Sequence, residues 1–212
     1  MSKYSIVVLI LIGLLLQTNN TFVSAEEQPN NTFGGWEHID VSHSINNSNW
    51  FVSLYFEHDN FQYKRLDLCF LGMTVGYKIT KWLKVDAAYH LMIEPDRIAH
   101  RAVVDVTGSL KEGNFSFSLR ERYQHKWALS SPNLANELRS KLKIQYAIPN
   151  SRFKPYIAIE LFTWDKWLKT RHYVGTDVVL NKYFVFDVYY NYYLFASKPA
   201  EHVIGVGLAI GF

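Results

Sequence analysis

Only one cysteine, Cys69, is present, so no intramolecular disulfide can hold this chain together. Glycine (11) and proline (6) are too sparse in 212 residues for a linker or a fibrous repeat. Beyond Leu16 no apolar run has the length of a membrane helix. With a mean hydropathy of −0.09, a bundle of transmembrane helices is excluded, because each helix needs about 20 largely apolar residues. A surplus of one charge is also missing: the formal net charge is +3. That is too small for a nucleic-acid-binding surface, so nucleic acid is not an expected partner. His38 and His43 have no cysteine partners at metal-ligand spacing, and there is no glycine-rich phosphate loop. Neither a metal nor any other cofactor is therefore expected. What the chain does have is aromatics: 14 Phe, 14 Tyr and 6 Trp. That share excludes an intrinsically disordered chain.

The first residues differ from the rest. Lys3 supplies a short positive start, Ile6 to Leu16 an apolar core of signal-peptide length, and Gln17 to Thr21 a polar region. Val23-Ser24-Ala25 fits the small-residue pattern of a signal peptidase site, with cleavage before Glu26. The expected organisation is a signal peptide at 1–25, a flexible lead-in at 26–35 and one folded domain at 36–212. Cys69 lies too far from the cleavage point to anchor a lipoprotein.

From Trp36 onward apolar and polar residues alternate with period two, which is the mark of half-exposed β-strands. At the end of the chain Ile204, Val206, Leu208, Ile210 and Phe212 share one face, and Gly205, Gly207, Ala209 and Gly211 the other. The same logic runs through Phe115, Phe117, Leu119 and Tyr123 against Ser116, Ser118, Arg120 and Arg122. Candidate strands fall at 36–45, 49–58, 62–78, 82–94, 99–110, 114–126, 136–147, 153–164, 169–180, 183–195 and 201–212. Most exceed the roughly 5–6 residues of a soluble strand and match the roughly 9–11 of a tilted membrane strand.

Period two does not say which face is inside, since a ligand-binding soluble barrel alternates too. Three features favour an apolar exterior. The opposite face carries charged and amide groups in almost every strand, with Gly and Ala in the last. Aromatics recur near strand ends, as at Tyr77, Trp82, Tyr146, Trp164, Trp167 and Tyr183, in the manner of interfacial girdles. The last strand, with Ile204, Val206, Leu208 and Ile210, ends on Phe212, which resembles the signal read by the bacterial barrel-assembly machinery. The expected fold is therefore all-β: a closed antiparallel transmembrane β-barrel, since only closure satisfies every backbone group in lipid. Even strand numbers are the rule for bacterial barrels, so about ten strands are expected, with twelve as the alternative and 36–45 left over. Connections near 79–81, 111–113, 149–151 and 180–182 read as tight turns, and those near 94–99, 127–135, 164–169 and 196–200 as longer loops. Glu121 falls on the apolar face, where a bulge or a position near the rim is expected.

Several stretches together resemble a known family. They are Trp36-Glu37-His38, Val75-Gly76-Tyr77-Lys78, Leu119-Arg120-Glu121-Arg122-Tyr123 and Leu138-Arg139-Ser140-Lys141-Leu142. Lys154-Pro155-Tyr156 with Glu160, Thr170-Arg171 and Glu201-His202-Val203-Ile204-Gly205 complete the set. Their order and spacing are similar to those of the Bacteroidota outer-membrane barrel family catalogued as domain of unknown function 2490. The resemblance covers nearly all of 34–212 and implies an outer-membrane β-barrel. It implies no activity.

With the polar face inward, Arg120, Arg122, Arg139, Lys141, Lys143, Glu160, Arg171, Asp177 and Asp187 form a charged cluster in the lumen. Glu57, Asp86, Arg101 and Asp105 join it from earlier strands. One role for such a cluster is structural, with charges cross-pairing to fill the barrel. Another is a narrow channel whose partly basic wall attracts small anionic solutes, Arg being suited to carboxylate and phosphate. The remaining partners implied are outer-membrane lipid and the barrel-assembly machinery. The alternative is an outer-membrane enzyme acting on lipid or a surface substrate, with His125 near Ser130 and Ser131 as its best pairing. No third member completes a triad, and His90, His100, His172 and His202 are no better placed, so no catalytic residue is assigned.

Overall fold

The computed structural model describes residues 32–46, 48–61, 65–95, 97–128 and 131–212. The expected signal peptide at 1–25 and the lead-in as far as 31 lie outside these residues. Eleven strands follow one another: β1 (Thr32–Ser44), β2 (Trp50–Phe61), β3 (Arg65–Lys78), β4 (Leu83–Glu94), β5 (Arg97–Glu112), β6 (Phe115–Ala128), β7 (Ser131–Tyr146), β8 (Phe153–Trp164), β9 (Lys166–Val179), β10 (Phe184–Phe195) and β11 (Glu201–Gly211). Each pairs antiparallel with the next in the chain, and β1 pairs with β11 to close a barrel.

That closing pair is parallel, in register from Thr32↔Glu201 to Ser42↔Gly211. An odd number of strands in an up-and-down meander leaves the first and last running the same way, so closure must be parallel. The expectation of about ten strands is close: the described residues form eleven. The segment at 36–45 is not surplus. It is the strand that removes both open edges, and it begins at Thr32, within the expected lead-in. Pairing continues to the last residue, where Phe212 N donates to Ser42 O at 3.0 Å and Ser44 N to Phe212 O at 3.1 Å.

Turns at the Phe212 end are held by local side-chain acceptors. Thr80 Oγ1 accepts from the backbone of Trp82 (3.2 Å) and Leu83 (3.0 Å). Asn181 Oδ1 accepts from Tyr183 (2.8 Å) and Phe184 (3.0 Å), and Ser151 Oγ from Phe153 (3.1 Å). Short polar side chains stabilise turns in this way. The longer loops expected at the opposite end are mostly absent. There β8 and β9 meet through Asp165 alone, at φ 57°, and β5, β6 and β7 run on to Arg97, Ala128 and Ser131. A ladder needs only backbone groups, so strands continue after their side chains turn polar. Turn length therefore does not distinguish the two ends.

The faces divide as charge and apolarity require. Leu54, Met73, Ile157, Val174 and Ile204 all point outward and are at least half exposed. Glu57, Asp86, Asp105, Arg139 and Glu160 are buried inside. Aromatic pairs ring both ends of the apolar belt. Trp50 packs on Tyr77, Phe115 on Tyr146 and Tyr183 on Phe212 at one end. At the other, His100 stacks on Trp127 and Tyr123 lies against Trp164. Glu121 breaks the belt without the bulge or rim position expected of it. It sits mid-strand in unbroken register between Val106 and Ser140, and Ser140 Oγ donates to its carboxylate at 2.6 Å. The register irregularities lie elsewhere, at Asp59/Asn60, Lys126/Ala128 and Phe162/Thr163.

Candidate functional site

Alternation sends every second residue inward, and the register then aligns residues distant in sequence. Arg120, Lys141, Glu160, Arg171 and Tyr193 are successive partners across β6 to β10. Asp86, Asp105, Arg122, Arg139 and Phe162 form a second row across β4 to β8. Both rows set like charges side by side, Arg120 by Lys141 and Arg122 by Arg139, which is destabilising without a counter-ion.

Glu160 is that counter-ion. It is fully buried and accepts from Arg120 Nη2 at 2.7 Å, Arg139 Nη2 at 2.8 Å and the Tyr173 hydroxyl at 2.9 Å. Arg171 Nη1 stands 3.6 Å from its second oxygen. Arg122 grips Asp105 with two parallel bonds of 2.7 and 2.6 Å, the strong bidentate geometry of this pair. Toward the Phe212 end Lys143 pairs with Asp177 at 3.3 Å, and the Tyr156 hydroxyl donates to Asp187 at 3.0 Å.

Around these groups lies a cavity of about 550 Å³. An eight-stranded barrel is just wide enough for its own side chains to fill, so eleven strands leave room. Of the charged cluster, Arg120, Arg122, Arg139, Lys141, Glu160, Arg171 and Asp187 line the cavity, whereas Lys143 and Asp177 pair inside the barrel beyond it, nearer the Phe212 end. Glu57, Asp86, Arg101 and Asp105 line it as well. A second cavity of about 280 Å³ lies toward the opposite end and shares Trp36, Asp59, Lys169 and Arg171 with the first.

Sequence reasoning overlooked part of the wall. Asp40 sits in the strand treated as surplus, and Lys169 at the first position of its assigned strand, yet both line the cavity. Parity would have found Lys169, two residues before Arg171. The wall is also less one-sided than a basic lumen: among the described residues nine basic and eight acidic side chains line the cavity. His125 points outward, stacked on Trp127 with its Nδ1 2.7 Å from Asn136 Oδ1. Ser130 lies outside the described residues, as does the side chain of Ser131. No group of three or more His, Cys, Asp or Glu residues suited to a metal occurs among the described residues.

The last strand is shaped to the interior. A Cβ on Gly205 would stand 2.1 Å from Tyr189 Cζ, and one on Gly207 2.2 Å from His38 Nε2. On the other face of β11, Ile204, Val206, Leu208 and Ile210 point outward, and Phe212 follows with 62% exposure.

The family described as Protein of unknown function (DUF2490) has a model that matches residues 33–202. Among solved structures the chain is similar to the NanC porin in its rhombohedral crystal form. The TM-score is 0.53 at 16% identity, over 79% of this chain and 89% of that one. That likeness concerns the fold. No curated protein matches the chain.

Proposed function

This chain belongs to the DUF2490 family, and from that premise we propose that it is an integral β-barrel of the outer membrane, of the Bacteroidota type, whose narrow lumen passes small polar solutes. The charged cavity of about 550 Å³ carries this reading, because a barrel serving only as a scaffold gains nothing from an internal space lined by ionic groups. An apolar belt around the whole outer face is far larger than a soluble monomer exposes and suits hydrocarbon between two aromatic girdles. Outer-membrane lipid is then the solvent of the belt. The assembly machinery would read Ile204, Val206, Leu208, Ile210 and Phe212 on the last strand, with the Phe212 end toward the periplasm.

Purified protein should migrate faster on a gel unheated than heated, and should give discrete small conductance steps in planar bilayers. A folded, heat-modifiable barrel that never conducts would favour the purely structural role, whose support is the Glu160 hub. A protein soluble without detergent would overturn the membrane reading itself. Glu121 offers a finer test of depth. Carboxylates on the lipid face cost less than Lys or Arg, which reach about 2–4 kcal/mol at the midplane. Replacing the hydrogen-bonded pair together, Glu121→Leu with Ser140→Ala, should stabilise the barrel by about 1 kcal/mol in urea unfolding from bilayers. Destabilisation instead would mean that something covers this carboxylate in the membrane.

A further inference from the structure

Charges around the cavity are sorted by wall. Among the described residues the charged lining groups on β1, β2 and β4 are Asp40, Glu57, Asp59 and Asp86, against one base, Lys84. On β5 to β9 the balance reverses, with eight bases against three acids. The two walls face each other across one space: the Arg171 guanidinium of β9 lies 4.8 Å from the Trp36 ring of β1.

A purely structural ladder would neutralise its charges in pairs, and part of this interior does so at Arg122–Asp105 and around Glu160. The remainder does not. Among the described residues Asp40 and Glu57 have no base within ion-pair distance, although the Tyr55 hydroxyl donates to Glu57. Among the described residues Lys141 and Lys169 likewise have no acid within ion-pair distance; Lys141 rests on the Tyr173 ring, and Lys169 on those of Phe162 and Phe195. Trp36 Nε1 and Arg171 Nε, both buried, have no partner at good hydrogen-bond geometry among the described residues.

We propose that the lumen selects zwitterionic solutes, compact molecules that carry a carboxylate at one end and an ammonium at the other, as short peptides and ω-amino acids do. This rests on the channel reading and names its substrate class. A simple anion is drawn to Lys141 and Lys169 but must pass the acids of the facing wall. A simple cation meets the reverse. A zwitterion lies across the field with each end on its complementary wall, and its dipole is held in one orientation along the path.

The test uses four open-chain six-carbon probes that differ in the charged groups at their ends: sorbitol, gluconate, glucamine and 6-amino-6-deoxygluconic acid. Proteoliposomes loaded with an equal mixture release their contents, and mass spectrometry follows each efflux. The aminodeoxygluconic acid should leave about tenfold faster than gluconate, the factor that one added charge-assisted contact is worth. Neutralising the acidic wall with Asp40→Asn and Glu57→Gln should abolish that lead and let gluconate overtake. The wild-type ranking stands as a test even where the variant assembles poorly. Gluconate leaving first from the wild type, or all four leaving alike, would overturn the zwitterion assignment and leave the channel intact. No efflux of any probe would overturn the channel reading.

Discussion

Gly205→Ala should leave the protein unable to reach its folded, heat-modifiable form. The added methyl carbon would stand 2.1 Å from Tyr189 Cζ and 2.4 Å from the Tyr189 hydroxyl, with Cε2 at 2.3 Å. Tyr189 cannot swing aside freely. Its ring is 94% buried between Tyr173 at 5.9 Å and Trp36 at 6.1 Å, and His38 closes a third side at 6.2 Å. Overpacking a filled interior costs about 1–3 kcal/mol and occasionally more. Here the upper end applies, because the clash falls on a whole ring. It also falls on β11, which must pair with both β10 and β1 before the barrel closes. Folding into detergent or lipid, followed by gel mobility, measures the loss. The double variant Gly205→Ala with Tyr189→Ala should recover the folded band. Recovery separates a steric cause from a general intolerance of the last strand, and a folded single variant would refute the packing account.

Glu160→Leu is the second large effect. It removes the carboxylate that Arg120 and Arg139 contact at 2.7 and 2.8 Å and that Arg171 approaches at 3.6 Å. Removing one partner of a buried ionic network costs about 3–5 kcal/mol, since the charges left behind stay desolvated. Three guanidiniums place this substitution at the high end, and a urea midpoint in lipid should fall accordingly. Glu160→Gln keeps an acceptor for the guanidiniums and should lose distinctly less. Equal losses for Leu and Gln would mean that shape, not charge balance, makes Glu160 indispensable. Arg139→Gln should be milder than either, because Arg120 and Arg171 remain on the carboxylate.

Much of this was readable from residue order alone, and the reason is the strand period. Arg120 and Arg122 against Leu119 and Glu121 already divide inward from outward positions, and burial follows that division at Arg139, Glu160 and Tyr189. Glu121 shows where the pattern stops informing. Parity places it outside, but its depth depends on neighbouring strands, and only the ladder sets it level with Val106 and Ser140. Asp40 was missed for a related reason. The rule of even strand numbers leaves its strand over, although the same alternation runs through Trp36, His38 and Asp40. Loop lengths misled because strand pairing is a backbone property, and β5 to β7 continue past the apolar belt.

What the sequence by itself determined is therefore the kind of object: an all-β chain with one apolar and one charged set of positions, alternating one by one. Alternation is local, and each residue's side follows from its immediate neighbours. Which charges meet is settled only in the folded ring. The parallel β1–β11 seam makes eleven strands a closed ring. Inter-strand register brings Arg120, Arg139 and Arg171 onto Glu160 from three different strands, and closure sets Asp40 and Glu57 around one cavity with Lys141 and Lys169. Those relations depend on register and circumference, which arise from the pairing of all the strands together and are written in no single one of them.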